Sequence, residues 1–183
     1  MKILLLQNML YVPALGGANK ATRYLAAALQ EHGHETKVLA KALGTYGPSS
    51  RDQFIQSLAV RRFAIRDQDE DYCGFVDGAV YVEALFGAGA WHKRIRSHME
   101  AFQPDVVLVA AEDPGQTVLQ IAIECGCRNL VVLVQTSWTL PFGPFSACPN
   151  QRNAGLFKSA SRILTISNYL QGYLQQHAGI EST

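Results

Sequence analysis

Few side chains in this sequence are spaced for chemistry, and the first that are would act through backbone atoms. Gly16-Gly17 follows a short apolar run and opens a segment with helical apolar spacing. Glycine lets a backbone approach an anion closely, and the first N–H groups of a helix form the positive end of its dipole. A plain turn is the alternative. Lys20 falls in the first helical turn on this reading, against the dipole, so functional use and a merely solvated lysine both fit. The named motifs fail. Gly87-Ala88-Gly89 begins a dinucleotide fingerprint, but His92 stands at its third glycine. Gly16-Gly17-Ala18-Asn19-Lys20 is not a P-loop. Gln7-Asn8 stand where a receiver-type site has adjacent acids, and the G-x-S-x-G of serine hydrolases is absent.

The charged clusters have plain readings beside sharper ones. His92, Lys93, Arg94, Arg96 and His98 crowd one helix start, either as a solvated face or as a patch for a membrane surface or an anionic acceptor. Arg51, Arg61, Arg62 and Arg66 add basic charge nearby in sequence, and Asp67, Asp69, Glu70 and Asp71 read as a solvated acidic loop. His34 follows a helix-stopping glycine and reads as turn packing. Cys73, Cys125, Cys127 and Cys148 form no C-x-x-C, so neither a zinc ribbon nor a thioredoxin motif is present, and no metal site is expected. Free thiols in a reducing cytoplasm are the expectation.

Positioning these residues falls to one domain, since 183 residues suffice for a single core. With 16 basic against 15 acidic residues the chain is not built around nucleic-acid charge, and no nucleic-acid partner is expected. The N-terminal apolar run is too short for a signal peptide, and no run reaches the ~18–20 residues of a membrane span. Short apolar strands are expected at 2–6, 35–40, 105–110, 130–134 and 162–166. Helices are expected at 18–32, 52–66, 91–102, 117–125 and 168–177, the last capped by Ser167 and stopped by Gly179. Asp77-Gly78 marks a hairpin between 72–76 and 79–83. A long Pro/Gly loop spans 135–149. The alternation predicts an α/β fold, a Rossmann-like parallel sheet with helices on both faces plus the hairpin. Ligands in such sheets bind beyond the carboxyl ends of the strands.

The order of several segments resembles the N-terminal domain of GT-B glycosyltransferases of the family-4 type. Met1-Lys2-Ile3-Leu4-Leu5, Pro13 with Gly16-Gly17, and Leu25-Ala26 through Leu29 to Gly33-His34-Glu35 match its opening. Gln103-Pro104-Asp105-Val106-Val107 is similar to its Pro-Asp-Val-Val segment, and residues 161–170 to its segment ending in a Ser-led helix. The resemblance implies two Rossmann-like domains facing a cleft, with the acceptor mainly on the N-terminal one and a nucleotide-diphosphate sugar on the other. The family's donor signature is a pair of glutamates eight positions apart, and no two glutamates here have that spacing. Residues 1–183 are therefore expected to be the N-terminal half, lacking its C-terminal nucleotide-sugar domain, and to be inactive alone. The implied whole is a cytoplasmic, retaining hexosyltransferase-like enzyme without a metal or other cofactor. Its acceptor would be a small molecule, glycan or lipid. Lys93, Arg94 and Arg96 offer a peripheral contact with the inner membrane face. A nucleotide-sugar 2-epimerase half and a non-catalytic binding module are the alternatives.

The resemblance places Gly16 and Gly17 at the cleft, near the donor diphosphate or the acceptor, with Lys20 beside them. The family often carries a histidine past its Asp-Val-Val strand; here Glu112-Asp113-Pro114 stand instead. Glu112 is the candidate catalytic carboxylate, able to accept from an acceptor hydroxyl. Asp113, ahead of Pro114, reads as a helix cap. A second common histidine is replaced by Gln135, followed by Thr136. An amide cannot exchange a proton at neutral pH, which sets a histidine base aside. In retaining members the donor phosphate is thought to help deprotonate the acceptor. Gln135, Thr136 and Ser167 would line the cleft, and the 138–145 segment would expose apolar side chains there.

Overall fold

A computed structural model describes residues 1–183. One eight-stranded sheet runs through it: β1 (Lys2–Leu10), β2 (Glu35–Lys41), β3 (Ala64–Gln68), β4 (Tyr72–Asp77), β5 (Val80–Leu85), β6 (Val106–Ala110), β7 (Leu130–Val134) and β8 (Arg162–Thr165). Their order is β3-β4-β5-β2-β1-β6-β7-β8. From β5 to β8 every pairing is parallel, and β4 and β3 extend the sheet antiparallel. The helices are α1 (Gly16–Glu31), α2 (Arg51–Val60), α3 (Ala90–Ala101), α4 (Thr117–Glu124), α5 (Gln151–Leu156) and α6 (Asn168–Ala178).

Strand alternation sends side chains to two cores. Leu4, Leu6, Val107, Val109, Val132 and Ile163 pack under α3, α4 and α6. Leu5, Val38, Ala40, Phe75, Val82 and Leu108 pack under α1 and α2. The parallel strands are apolar toward both faces because both faces are covered.

Three expectations are corrected and one helix is added. The helix expected over 52–66 stops at Val60. Its inward stripe is Phe54 and Leu58, and the next turn of that stripe falls on Arg61 and Arg62. Arg62 takes φ 60°, and the chain reverses into β3, which lets Phe63 pack edge-on to Phe75 at 5.3 Å. β1 runs four residues past its expected end, irregularly paired, until Leu10 meets Lys41. The stretch after Pro149 forms α5, capped by Asn150, whose side chain accepts from the N–H groups of Arg152 and Asn153. The acidic run is not free: Tyr72 and Tyr81 hydroxyls donate to Asp67 at 2.7 and 2.8 Å, and Lys93 pairs with Asp71.

The basic cluster on α3 also needs correction. Arg94 turns inward and donates twice to Glu83 (2.7 and 2.6 Å), and His98 Nε2 donates to the same carboxylate at 2.9 Å. Glu83 is 1% exposed. Burial would raise its pKa, but His98 and Arg94 hold it below the ordinary carboxylate range. Arg94 is thereby withdrawn from the basic face of α3, while Lys93, paired with Asp71, and Arg96 stay exposed. At the other flank of the sheet Thr183 lies beside β8. Its N–H donates to Ile163 O at 3.0 Å, and Thr165 N–H donates to Thr183 O at 2.8 Å.

Candidate functional site

Six parallel strands point their carboxyl ends to one edge, and the loops leaving them meet there. β1 feeds residues 11–15 and then α1. Leu15 precedes α1 in extended conformation, with no side chain capping the helix and no acid in its first turn. Gly16 holds φ +80°, which a side chain rarely adopts, whereas a Cβ at Gly17 would meet nothing within 4 Å. The conformational requirement therefore sits on Gly16. Lys20 is exposed in the second turn rather than the first. Asn19, Thr22 and Ala26 form the buried face of α1, so polar groups from its first two turns look onto the strand ends.

Glu112 follows β6 and is 4% exposed. Its Oε1 accepts the backbone N–H of Gln135 at 2.9 Å, and its Oε2 lies 3.4 Å from Gln135 Nε2. That amide also donates to Thr22 Oγ1 at 2.8 Å. The carboxylate thus sits one layer beneath the surface, and Gln135 stands over it, half-buried. Burial raises the Glu112 pKa to about 7, although N–H groups of Gln135, Glu112 and Thr136 pull the other way. Asp113 is fully occupied. Its Oδ1 accepts from Asn8 Nδ2 and its Oδ2 from the Val118 N–H, each at 2.9 Å. Asp113 does cap α4, but across a turn: the helix begins at Thr117, so Pro114 lies outside it.

Thr136 accepts from the Trp138 N–H at 3.2 Å. Ser167, two residues past β8, caps α6 by accepting from Leu170 N–H at 3.3 Å and makes no hydrogen bond to the Glu112 cluster. The structure brings Glu112, Gln135 and Thr22 of α1 together and leaves Ser167 as a cap. Trp138 and Phe145 are 64% and 59% exposed, while Phe142 is buried under Tyr173. Three partners escaped sequence reasoning. Thr22 and Asn19 were marked only by being polar on an apolar helix face. Gln116 takes φ 48°, is fully buried, and donates to Ala111 O and Thr139 O at 3.2 and 3.1 Å, tying the β6 and β7 loops together.

A cavity of about 310 Å³ opens between the ends of β1, β2 and β5 and the starts of α3 and α4. Leu43, Leu85, Phe86 and Trp91 give it an apolar wall; Asn8, Lys41 and Thr117 give it polar groups. A larger hollow of about 570 Å³ lies between α5 and the end of α6, away from the carboxyl ends of the strands. No group of three or more His, Cys, Asp or Glu is gathered that could hold a metal ion. No helix is long and apolar enough to cross a membrane.

The profile of Glycosyltransferase Family 4 matches residues 15–183. The chain belongs to that family. Its fold is also that of solved GT-B structures. Sucrose-phosphate synthase from Thermosynechococcus elongatus superposes over 100% of this chain and 47% of its own, at TM-score 0.62 and 10% identity. The catalytic domain of starch synthase IV from Arabidopsis thaliana matches 91% of this chain and 45% of its own, at TM-score 0.56 and 12% identity. A putative UDP-N-acetylglucosamine 2-epimerase from Listeria monocytogenes matches 96% and 43%, at TM-score 0.54 and 13% identity. At these identities the likeness is one of fold. The family-4 chain spans less than half the length of these structures. Among curated proteins none matches closely enough to count as a relative.

Proposed function

We propose that this chain is the acceptor-side domain of a retaining glycosyltransferase, which moves a sugar from a nucleotide-diphosphate sugar to a hydroxyl. The reading rests on family membership. The observation that carries it to this edge is the meeting of Thr22, Gln135 and Glu112 where the strands end, an edge at which a cavity of about 310 Å³ also opens, lined by Asn8 and Thr117. In this reading the acceptor occupies the cavity, its apolar face on Leu43, Leu85 and Phe86 and its hydroxyls toward Asn8, Lys41 and Thr117. The donor diphosphate approaches Gly16, Gly17 and Lys20, where helix N–H groups face the opening. Gln135 and Thr136 meet the transferred sugar, with Ser167 at the rim. Glu112 acts from beneath, through Gln135. A second domain, as long as this one, would close the cleft and hold the nucleotide. The whole enzyme would work in the cytoplasm, with a small-molecule, glycan or lipid acceptor. Any peripheral membrane contact would use Lys93 and Arg96, since Arg94 is turned inward to Glu83.

The likeness to an epimerase supports a second reading, inversion at the sugar's carbon 2. The test is the full-length protein with a panel of nucleotide-diphosphate sugars and hydroxyl acceptors, products read by mass and NMR. Transfer with retention is the expected result. Epimerisation would establish the second reading, and neither activity would leave a binding module.

A further inference from the structure

Resting on that reading, we propose that Gln135 presents its amide oxygen, not its NH2, to the ligand, and that Glu112 and Thr22 set this polarity, so that the strand edge selects a sugar hydroxyl acting as hydrogen-bond donor. An amide has one accepting and one donating end, and its neighbours decide which faces outward. Glu112 Oε1 already accepts the Gln135 backbone N–H, which fixes the carboxyl group in place. Its Oε2 then faces the Gln135 side chain, and above about pH 7, where Glu112 is ionised, that oxygen can only accept. Thr22 Oγ1 accepts from the same NH2 group at 2.8 Å. Two inward acceptors hold the NH2 inward. The Oε1 atom receives no hydrogen bond from the protein and is not sealed from solvent. A bound hydroxyl can satisfy it, whereas an anion or a bare carbonyl oxygen would meet it lone pair to lone pair. Glu112 is then a positioning residue, acting on the ligand through Gln135.

Glu112→Gln tests this directly because it keeps shape and exchanges one acceptor for a donor. The substituted amide would keep accepting the Gln135 backbone N–H through its oxygen. Its NH2 would face the Gln135 side chain, which must rotate to bring Oε1 inward, where the Thr22 hydroxyl can donate to it as well. In the 15N-labelled chain at pH 8, where Glu112 is ionised, the Gln135 side-chain NH2 protons should show NOEs to the Thr22 methyl group, and these should vanish in E112Q. Thr22→Val, which removes one inward acceptor without touching Glu112, should keep the amide orientation but speed exchange of its protons. Absence of the NOEs in the unsubstituted chain, or their persistence in E112Q, overturns the proposal. In the full-length enzyme E112Q should raise the KM for the sugar ligand about tenfold, the worth of one well-made hydrogen bond, and change kcat much less. A fall in kcat with KM unchanged would assign Glu112 to the reacting atoms and overturn the positioning role. If the full-length protein transfers no sugar while the NOE pattern holds, the glycosyl-transfer reading fails and the amide polarity stands.

Discussion

Glu112 carries a cost that depends on pH. Its pKa is near 7 in the fold, against an ordinary 4.5, because burial penalises the charge. Between those values the folded state binds more proton than the unfolded one, so stability falls as pH rises from about 4.5 to about 7. The difference amounts to roughly 3 kcal/mol across that window. Glu83 and Asp77 have lowered pKa values and work oppositely, losing stability as pH falls below the ordinary carboxylate range. Urea midpoints of the unsubstituted chain and E112Q should therefore diverge from pH 5 to 8, with E112Q gaining relative stability at the high end. Parallel curves would mean the carboxyl group is solvated. The glycine pair also divides by residue. Gly16→Ala should destabilise by roughly 1–2 kcal/mol, since an L side chain resists its left-handed backbone. Gly17→Val meets open space and should leave melting nearly unchanged while impairing transfer by the full-length enzyme, where the loop must approach a ligand. Unimpaired transfer would remove Gly17 from the site. The sequence made the glycines legible but not this division, because a dihedral angle is decided by the chain on both sides.

Among the elements, those defined by local pattern were readable: the apolar runs of β2, β6 and β7 and the 3.6-residue stripes of α1, α4 and α6. Elements defined by their neighbours were not. β3 has no buried residue of its own and exists because β4 offers an edge. α5 is six residues held by the Asn150 cap. Glu83 gave a signal that could have been used, since a charged residue in a strand covered on both faces needs a partner. Arg94 and His98, four apart, present such a pair on one helix face. The triad fastens α3 to β5, and Tyr81, between Asp67 and Glu83, continues the fastening into β3. Arg94→Met should cost roughly 3 kcal/mol by urea denaturation, because it removes the guanidinium from a buried carboxylate and leaves it to His98. Lys93→Ala, which breaks an exposed pair, should stay within about 1 kcal/mol. Equal effects would mean that the triad is hydrated.

For the molecule as a whole, the parallel α/β sheet, its shared carboxyl edge and the β4–β5 hairpin were legible in the alternation of elements and in Asp77-Gly78, while the strand order and β3 needed the structure. The 183-residue chain alone should show no sugar transfer above background in a product assay. Orienting two reactants is worth roughly 7–11 kcal/mol of barrier, and on our reading one wall of the cleft belongs to another domain. Turnover by the chain alone would end that reading. The position of β1 has a further consequence, in time. Of the strands in this sheet it is synthesised before the other seven, yet it lies inside the sheet, with β2 on one side and β6 on the other. Ile3 pairs with Val106, about a hundred residues later in the chain. At a ribosomal rate of roughly 5–20 residues per second, the β6-facing edge of β1 waits on the order of ten seconds for its partner. Until then a strand reading Ile3-Leu4-Leu5-Leu6 offers open hydrogen-bonding groups to any neighbouring chain. Newborn chains should thus be more prone to association than finished ones, and slowing synthesis between residues 41 and 106 should lower the soluble yield.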